Sequence, residues 1–186
     1  MKANITSKEA ITQVCRHIAA DKGLKALNMR LVADECYIAL GTLYNYYADK
    51  DSLVLATVES IWKDIFHGEC RDKSCDSFAD YVAELYERIQ RGAQAYPGFL
   101  TGHSAGIASA RRVEARSVMD YTLGHIKTEM MEMLRNDPSV RDNAFPPDFS
   151  REAFVGFVLD NLMLLLVQGR PNCRMLLEII RRTLGR

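Results

Sequence analysis

Apolar residues recur three or four positions apart along nearly the whole chain, a period that predicts an all-α protein. The first stripe is Ile11, Val14, Cys15 and Ile18. Its helix starts behind Thr6-Ser7-Lys8-Glu9, where the Thr6 hydroxyl can accept from the Glu9 amide, and it ends before Gly23. Residues 28–47 read as two short helices joined by a tight turn. Met29, Val32 and Ala33 form the apolar side of the first, and Ile38, Leu43 and Tyr47 the matching side of the second. Thr42, Tyr44, Asn45 and Tyr46 are left around the remaining surface, with the small residues Ala39 and Gly41 at the helix start. Asp49 is a plausible N-cap for a long helix carrying Leu53, Val54, Val58, Ile61, Trp62 and Ile65 to about Phe66, with no flexible linker before it.

The remaining elements follow from breakers and caps. Ser77 can cap a helix to about Tyr96, stopped by Pro97-Gly98. Further helices are expected over 99–110 and 113–134, then a loop marked by Asn136-Asp137-Pro138 and Pro146-Pro147. Two final helices, 150–168 and 172–184, are separated by Gly169-Arg170-Pro171. Phe154, Phe157, Val158, Asn161, Leu162, Leu165 and Leu166 occupy more than one face of the first of these. Met175, Leu176, Ile179, Ile180 and Leu184 form a broad stripe on the second. A pair this apolar either packs inside its own domain on all sides or pairs with another chain. No repeat, low-complexity tract or strand run interrupts the helical pattern.

The two short helices carry the most specific chemistry. Two helices across a tight turn, the second uncharged but rich in hydrogen-bonding groups, make a helix-turn-helix whose second helix fits the DNA major groove. Asn45 and Thr42 are the candidates for reading bases, Asn through paired bonds to adenine. Arg30 can hold the backbone or reach a guanine, and Lys50, at the start of the long helix, can meet a phosphate. Taken singly, each also fits a solvated surface position. Bulk charge adds little, since Lys plus Arg and Asp plus Glu are 24 each. Residues 1–50 hold seven basic and five acidic residues, a weak bias toward a polyanion. With 48% hydrophobic and 26% charged residues, the chain has the composition of an ordinary globular protein.

The run Gly41-Thr42-Leu43-Tyr44-Asn45-Tyr46-Tyr47, then Lys50-Asp51-Ser52-Leu53, closely resembles the recognition-helix signature of TetR/AcrR transcriptional regulators. Gly23, Arg30, Val32 and Ala33 fall at that family's spacing, so the motif covers roughly the first third of the chain. The resemblance implies a three-helix DNA-binding domain over residues 1–48 and a helical ligand-binding and dimerisation domain over 49–186. It assigns Tyr44 and Tyr46 to phosphate contacts. It favours a homodimer through the last two helices, with Phe154, Val158, Asn161, Leu165, Leu176, Ile179 and Ile180 at the interface. It also implies a pocket for an unidentified small-molecule inducer, for which Tyr96, Phe99, His103, Met119, His125 and Met163 are the candidates, although such residues at helical spacing are more often plain core. The expected function is that of a repressor released from a palindromic operator. Three positions depart from the family pattern: Tyr37 in a turn that commonly holds Gly, Ala39 where a Ser often caps the helix, and Leu40 in place of a frequently polar residue.

Other readings are weaker. No uncharged apolar run approaches the roughly 20 residues that span a bilayer, Leu162 to Val167 being the longest, and MKANITSKEA lacks the apolar core of a signal peptide. The five cysteines show no CxxC spacing, which favours reduced thiols and a cytoplasmic protein; Cys70 and Cys75 are more readily ordinary loop thiols than redox sensors. No metal-ligand spacing, nucleophile–base pair or phosphate-cradling loop points to an enzyme, and no cofactor is implied. The remaining alternative is a ligand-independent architectural or protein-interaction factor that keeps the DNA-reading unit.

Overall fold

The computed structural model describes residues 7–67, 76–97, 99–102 and 112–185. Their regular structure is all helical: α1 (Lys8–Lys22), a 3-10 turn (Leu24–Ala26), α2 (Met29–Glu35), α3 (Leu40–Tyr46), α4 (Lys50–His67), α5 (Phe78–Gln94), α6 (Phe99–Gly102), α7 (Arg112–Asn136), α8 (Arg151–Val167) and α9 (Arg174–Leu184). The rest of the expected 99–110 helix lies outside the described residues. The chain forms two compact units, one drawn from residues 1–68 and 92–119, the other from 69–91 and 120–186.

In the first unit, local chemistry sets the helix ends. The Ser7 hydroxyl accepts from the Ala10 amide at 3.1 Å, so α1 starts one residue later than a Thr6 cap would place it; Thr6 lies outside the described residues. Gly23, at φ 78°, ends α1 with its N–H on the Ala19 carbonyl. The Asn28 side chain accepts from Leu31 at 2.9 Å and starts α2. Asp49 and Ser52 cap α4 reciprocally: Ser52 N–H donates to Asp49 Oδ1 at 2.8 Å, and Asp49 N–H to Ser52 Oγ at 3.2 Å. The core beneath holds Ile11, Cys15, Leu27, Val32, Leu43, Leu53, Ile61 and Trp62. Phe99 meets the Trp62 ring edge-on at 4.9 Å, and Tyr96 donates its hydroxyl to Asp64 Oδ2 at 2.9 Å. Asp64 in turn pairs with Arg16 of α1.

The second unit packs Phe78, Val82, Leu85 and Ile89 of α5 with Met130 and Leu134 of α7, Val155, Val158 and Leu162 of α8, and Leu176, Ile180 and Leu184 of α9. Polar groups close its ends. Asp137 accepts from the Phe78 amide at the start of α5 at 2.7 Å. The Tyr86 hydroxyl and the Gln90 amide both donate to the Arg170 carbonyl in the α8–α9 turn, at 2.6 and 3.0 Å. Of the residues expected at a dimer interface, Phe154, Val158, Leu176 and Ile180 are buried in this unit's own core. Asn161 and Leu165 are half-buried and Ile179 is exposed. The exposed apolar face runs instead through Phe157, Leu164, Val167, Met175 and Ile179. On a helix apolar on several sides, only the packing decides which stripe turns inward.

Candidate nucleic-acid interface

The turn between α2 and α3 is a Schellman motif. Tyr37 N–H donates to the Asp34 carbonyl and Ile38 N–H to the Ala33 carbonyl, both at 3.1 Å. This closure puts Tyr37 at φ 57°, the left-handed region that glycine tolerates freely and other residues enter at a cost of about 1 kcal/mol. It is the one non-glycine residue with positive φ among the described residues. Ala39 then starts α3 with backbone alone, its carbonyl accepting from Thr42 and Leu43 at 2.9 and 3.2 Å with no side-chain cap.

α3 is therefore held by its apolar edge. Leu43 is fully buried and Tyr47 only 5% exposed. The Tyr47 and Thr12 hydroxyls share a hydrogen bond at 2.9 Å, and Thr12 also donates to the Lys8 carbonyl at 2.6 Å. Burial, only partly offset by that bond, raises the Tyr47 pKa and keeps the phenol neutral. Tyr47 is a core residue, as its spacing implies. The other side of α3 faces outward: Gly41, Tyr44 and Asn45 are exposed, while Thr42 and Tyr46 are half-buried. A Cβ added at Gly41 would meet nothing within 4 Å, so the helix start presents open space to an approaching surface. Arg30 on α2 and Lys50, the first residue of α4, are exposed cations on either side in sequence. Seven residues of helix span roughly 10 Å, enough for about three base-pair steps.

The thiols of this unit are structural. Cys15 and Cys36 are fully buried. Burial, offset in part by a hydrogen bond with Thr57, pushes the Cys15 thiol up to about 12, and burial raises Cys36 as well. Cys70 and Cys75 lie outside the described residues.

The residues expected around an inducer fall in different places. Tyr96 and Phe99 are buried in the first unit against Asp64 and Trp62, where they serve as core. His125 is exposed on α7, its ring 4.5 Å from that of the exposed Tyr121. Met163 is half-buried on α8. His103 and the Met119 side chain lie outside the described residues. Tyr81 on α5 donates to Glu129 at 3.2 Å, and burial pushes its phenol well above its ordinary value.

A locked apolar seam beneath a short, uncharged, polar-faced helix is the geometry of a helix-turn-helix DNA-binding regulator. Residues 11–57 match the family model for bacterial regulatory proteins of the tetR family. No curated protein sequence matches it. Among solved structures, the chain is similar to BioQ with its natural double-stranded DNA operator, at 20% identity over 95% of this chain and 96% of that one, TM-score 0.62. A transcriptional regulator from Rhodococcus sp. Rha1 is 16% identical over 96% and 94%, TM-score 0.63. The multidrug binding protein EbrR, complexed with imidazole, is 18% identical over 97% and 93%, TM-score 0.61. At these identities the likeness is one of fold, and it extends over both units.

Proposed function

We propose that this regulator acts as a cytoplasmic, non-catalytic homodimeric repressor that reads a palindromic operator and leaves it when a small molecule binds. The observation that carries the reading is the two-sidedness of α3: Leu43 is sealed in the core while Asn45 is exposed to solvent. In this assignment residues 1–48 are the reading domain and 49–186 the ligand-binding and dimerisation domain. Asn45 and Thr42 meet base edges, Tyr44, Tyr46 and Lys50 meet phosphates, and Arg30 holds the backbone or a guanine. A second copy covers the outer face of α8 and α9, with Phe157, Leu164, Leu165, Met175 and Ile179 as its apolar contacts and Asn161 at its margin. Twofold pairing would set the recognition helices about 34 Å or more apart, one turn of duplex or a multiple. The BioQ–operator and EbrR–imidazole complexes support the pairing of DNA and small-molecule binding on this fold. An inducer that prefers the released form about 100-fold shifts the equilibrium by at most about 2.7 kcal/mol.

Selection of bound duplexes from a random pool at several salt concentrations tests this. An inverted repeat should be enriched. Asn45→Ala should then relax base preference, a loss of about 1–3 kcal/mol on the selected site, while Lys50→Ala weakens all duplexes alike and lowers the salt slope by about one unit. Identical behaviour of both variants on selected and random duplexes would refute the division of roles, and a pool with no enrichment would refute the operator.

A further inference from the structure

We propose that an open cleft in the second unit binds a small organic carboxylate with an apolar body, its charge held by Arg141 and Arg182. The cleft lies between the loop after α7 and the C-terminal half of α9. Its volume is about 530 Å³, within the roughly 300–1,000 Å³ usual for small-molecule sites. Bonds within the chain shape it before any ligand arrives. The Arg141 N–H donates to the Leu184 carbonyl at 2.9 Å and ties the loop to the end of α9. Further along the loop, the Phe149 ring is stacked on Phe145 at 5.8 Å and set edge-on against Phe154 at 5.7 Å.

The walls divide by chemistry. Ala144, Pro146, Phe149 and Ile179 supply apolar surface, while Arg141, Arg182 and Asn143 supply donors, and no carboxylate is among the lining residues. Arg182 gives its Nε to Glu178 Oε1 at 2.8 Å, which orients the guanidinium and leaves its terminal nitrogens without a partner among the described residues. Arg141 has no side-chain partner among the described residues, although it shares the cleft with a second cation. Two guanidiniums and an amide match a carboxylate, which accepts several bonds at once and takes an arginine fork bidentately. A bare inorganic anion would leave the apolar walls wet, and a neutral apolar molecule would leave the arginines unpaired. A carboxylate on an apolar body satisfies both. Of the lining residues only Ile179 is also a proposed dimer contact, so the cleft is built within one protomer. None of its walls is a residue expected around the inducer, and the inference does not rest on the DNA-reading assignment.

Calorimetric titration of the full chain with octanoate, acetate and octanol tests the proposal. Octanoate should bind at least about 10-fold more tightly than either of the others, since acetate lacks the apolar body and octanol the charge. Arg141→Gln and Arg182→Gln should melt with the parent, both side chains being exposed, and each should weaken octanoate about 10-fold. Arg174→Gln, exposed at the start of α9, and Leu164→Glu, exposed on α8, lie outside the cleft and should retain parent affinity. Octanoate binding no tighter than that of octanol or acetate overturns the proposal, and so does parent affinity in both cleft variants. An equal loss in Arg174→Gln or Leu164→Glu also overturns it, by placing the ligand elsewhere or between protomers.

Discussion

In the first unit the side chains exposed around α2 and α3 are polar: the cations Arg30 and Lys50, the phenols Tyr37 and Tyr44, the amides Asn28 and Asn45, and the carboxylates Asp34 and Glu35 at the end of α2. In the second, α8 and α9 expose Phe157, Leu164, Val167, Met175 and Ile179. Both surfaces sit on helices whose opposite sides are sealed by Leu43 and Tyr47 in one case and by Val158, Leu162, Leu176 and Ile180 in the other. The helical scaffold is common to both, and the chemistry of the outward face sets what can cover it. A hydrated polyanion is met by donors and cations that exchange water for phosphate and base-edge partners at little net cost. An apolar face gains most by shedding water against another apolar face, at roughly 25 cal/mol per Å² buried.

The contrast breaks most sharply at the seam residue. Leu43→Ala leaves a cavity under α3 and should destabilise the first unit by about 2–5 kcal/mol in denaturant unfolding. A cost below about 1 kcal/mol would mean that α3 is not held by this edge. Next comes a neighbouring pair on α9. Ile179→Glu should leave the protomer folded and raise the dimer dissociation constant about 100-fold, near 2.7 kcal/mol, as read by sedimentation. Ile180→Glu should instead unfold the second unit, since it places a charge in a fully buried position. Equal behaviour of the two variants would erase the distinction between the core and outer faces of α9.

The last effects are in pH, and they run in opposite directions. Burial raises the Cys15 thiol from 9.0 to about 12, so the folded first unit holds that proton more tightly than the unfolded chain. The stabilisation is complete below pH 9.0 and is lost as pH rises from there toward about 12, with Tyr47 contributing in the same sense. At Asp137 burial alone would raise the pKa, but hydrogen bonds from the Phe78 amide and from Ser139 outweigh it, and the net shift is downward from 3.8. Its stabilisation is present above pH 3.8 and is lost as pH falls through the lower folded value. Urea midpoints followed by a probe in each unit should show the first unit weakening in alkali and the second in acid. Cys15→Ala should flatten the alkaline limb and Asp137→Asn the acid one.

The first unit was largely legible because local signals agree there. Gly23, Asn28 and Asp49 each end or start a helix by a bond to a neighbour within four residues, and Leu43 and Tyr47 lie one turn apart on the edge of α3 that packs inward. The Tyr37 departure was visible as an unexpected residue type, and its backbone carries the strain that the substitution implies. Less was legible where contacts are long-range. Tyr96 and Phe99 read equally well as pocket or core. Asp64 and Trp62, more than 30 residues earlier, place them in the first unit's interior.

The sequence by itself determined the helices, most of their caps and the polar face of α3, since these follow from side-chain periodicity and from bonds that close within a turn or two. Tertiary structure alone decided which apolar stripe of α8 and α9 is interior. Phe154, Val158, Leu176 and Ile180 turn inward and Phe157, Leu164, Met175 and Ile179 outward, although both sets are hydrophobic. Hydrophobicity is a property of the residue, but burial depends on which neighbouring helix reaches it first, and that choice is made only when the elements pack.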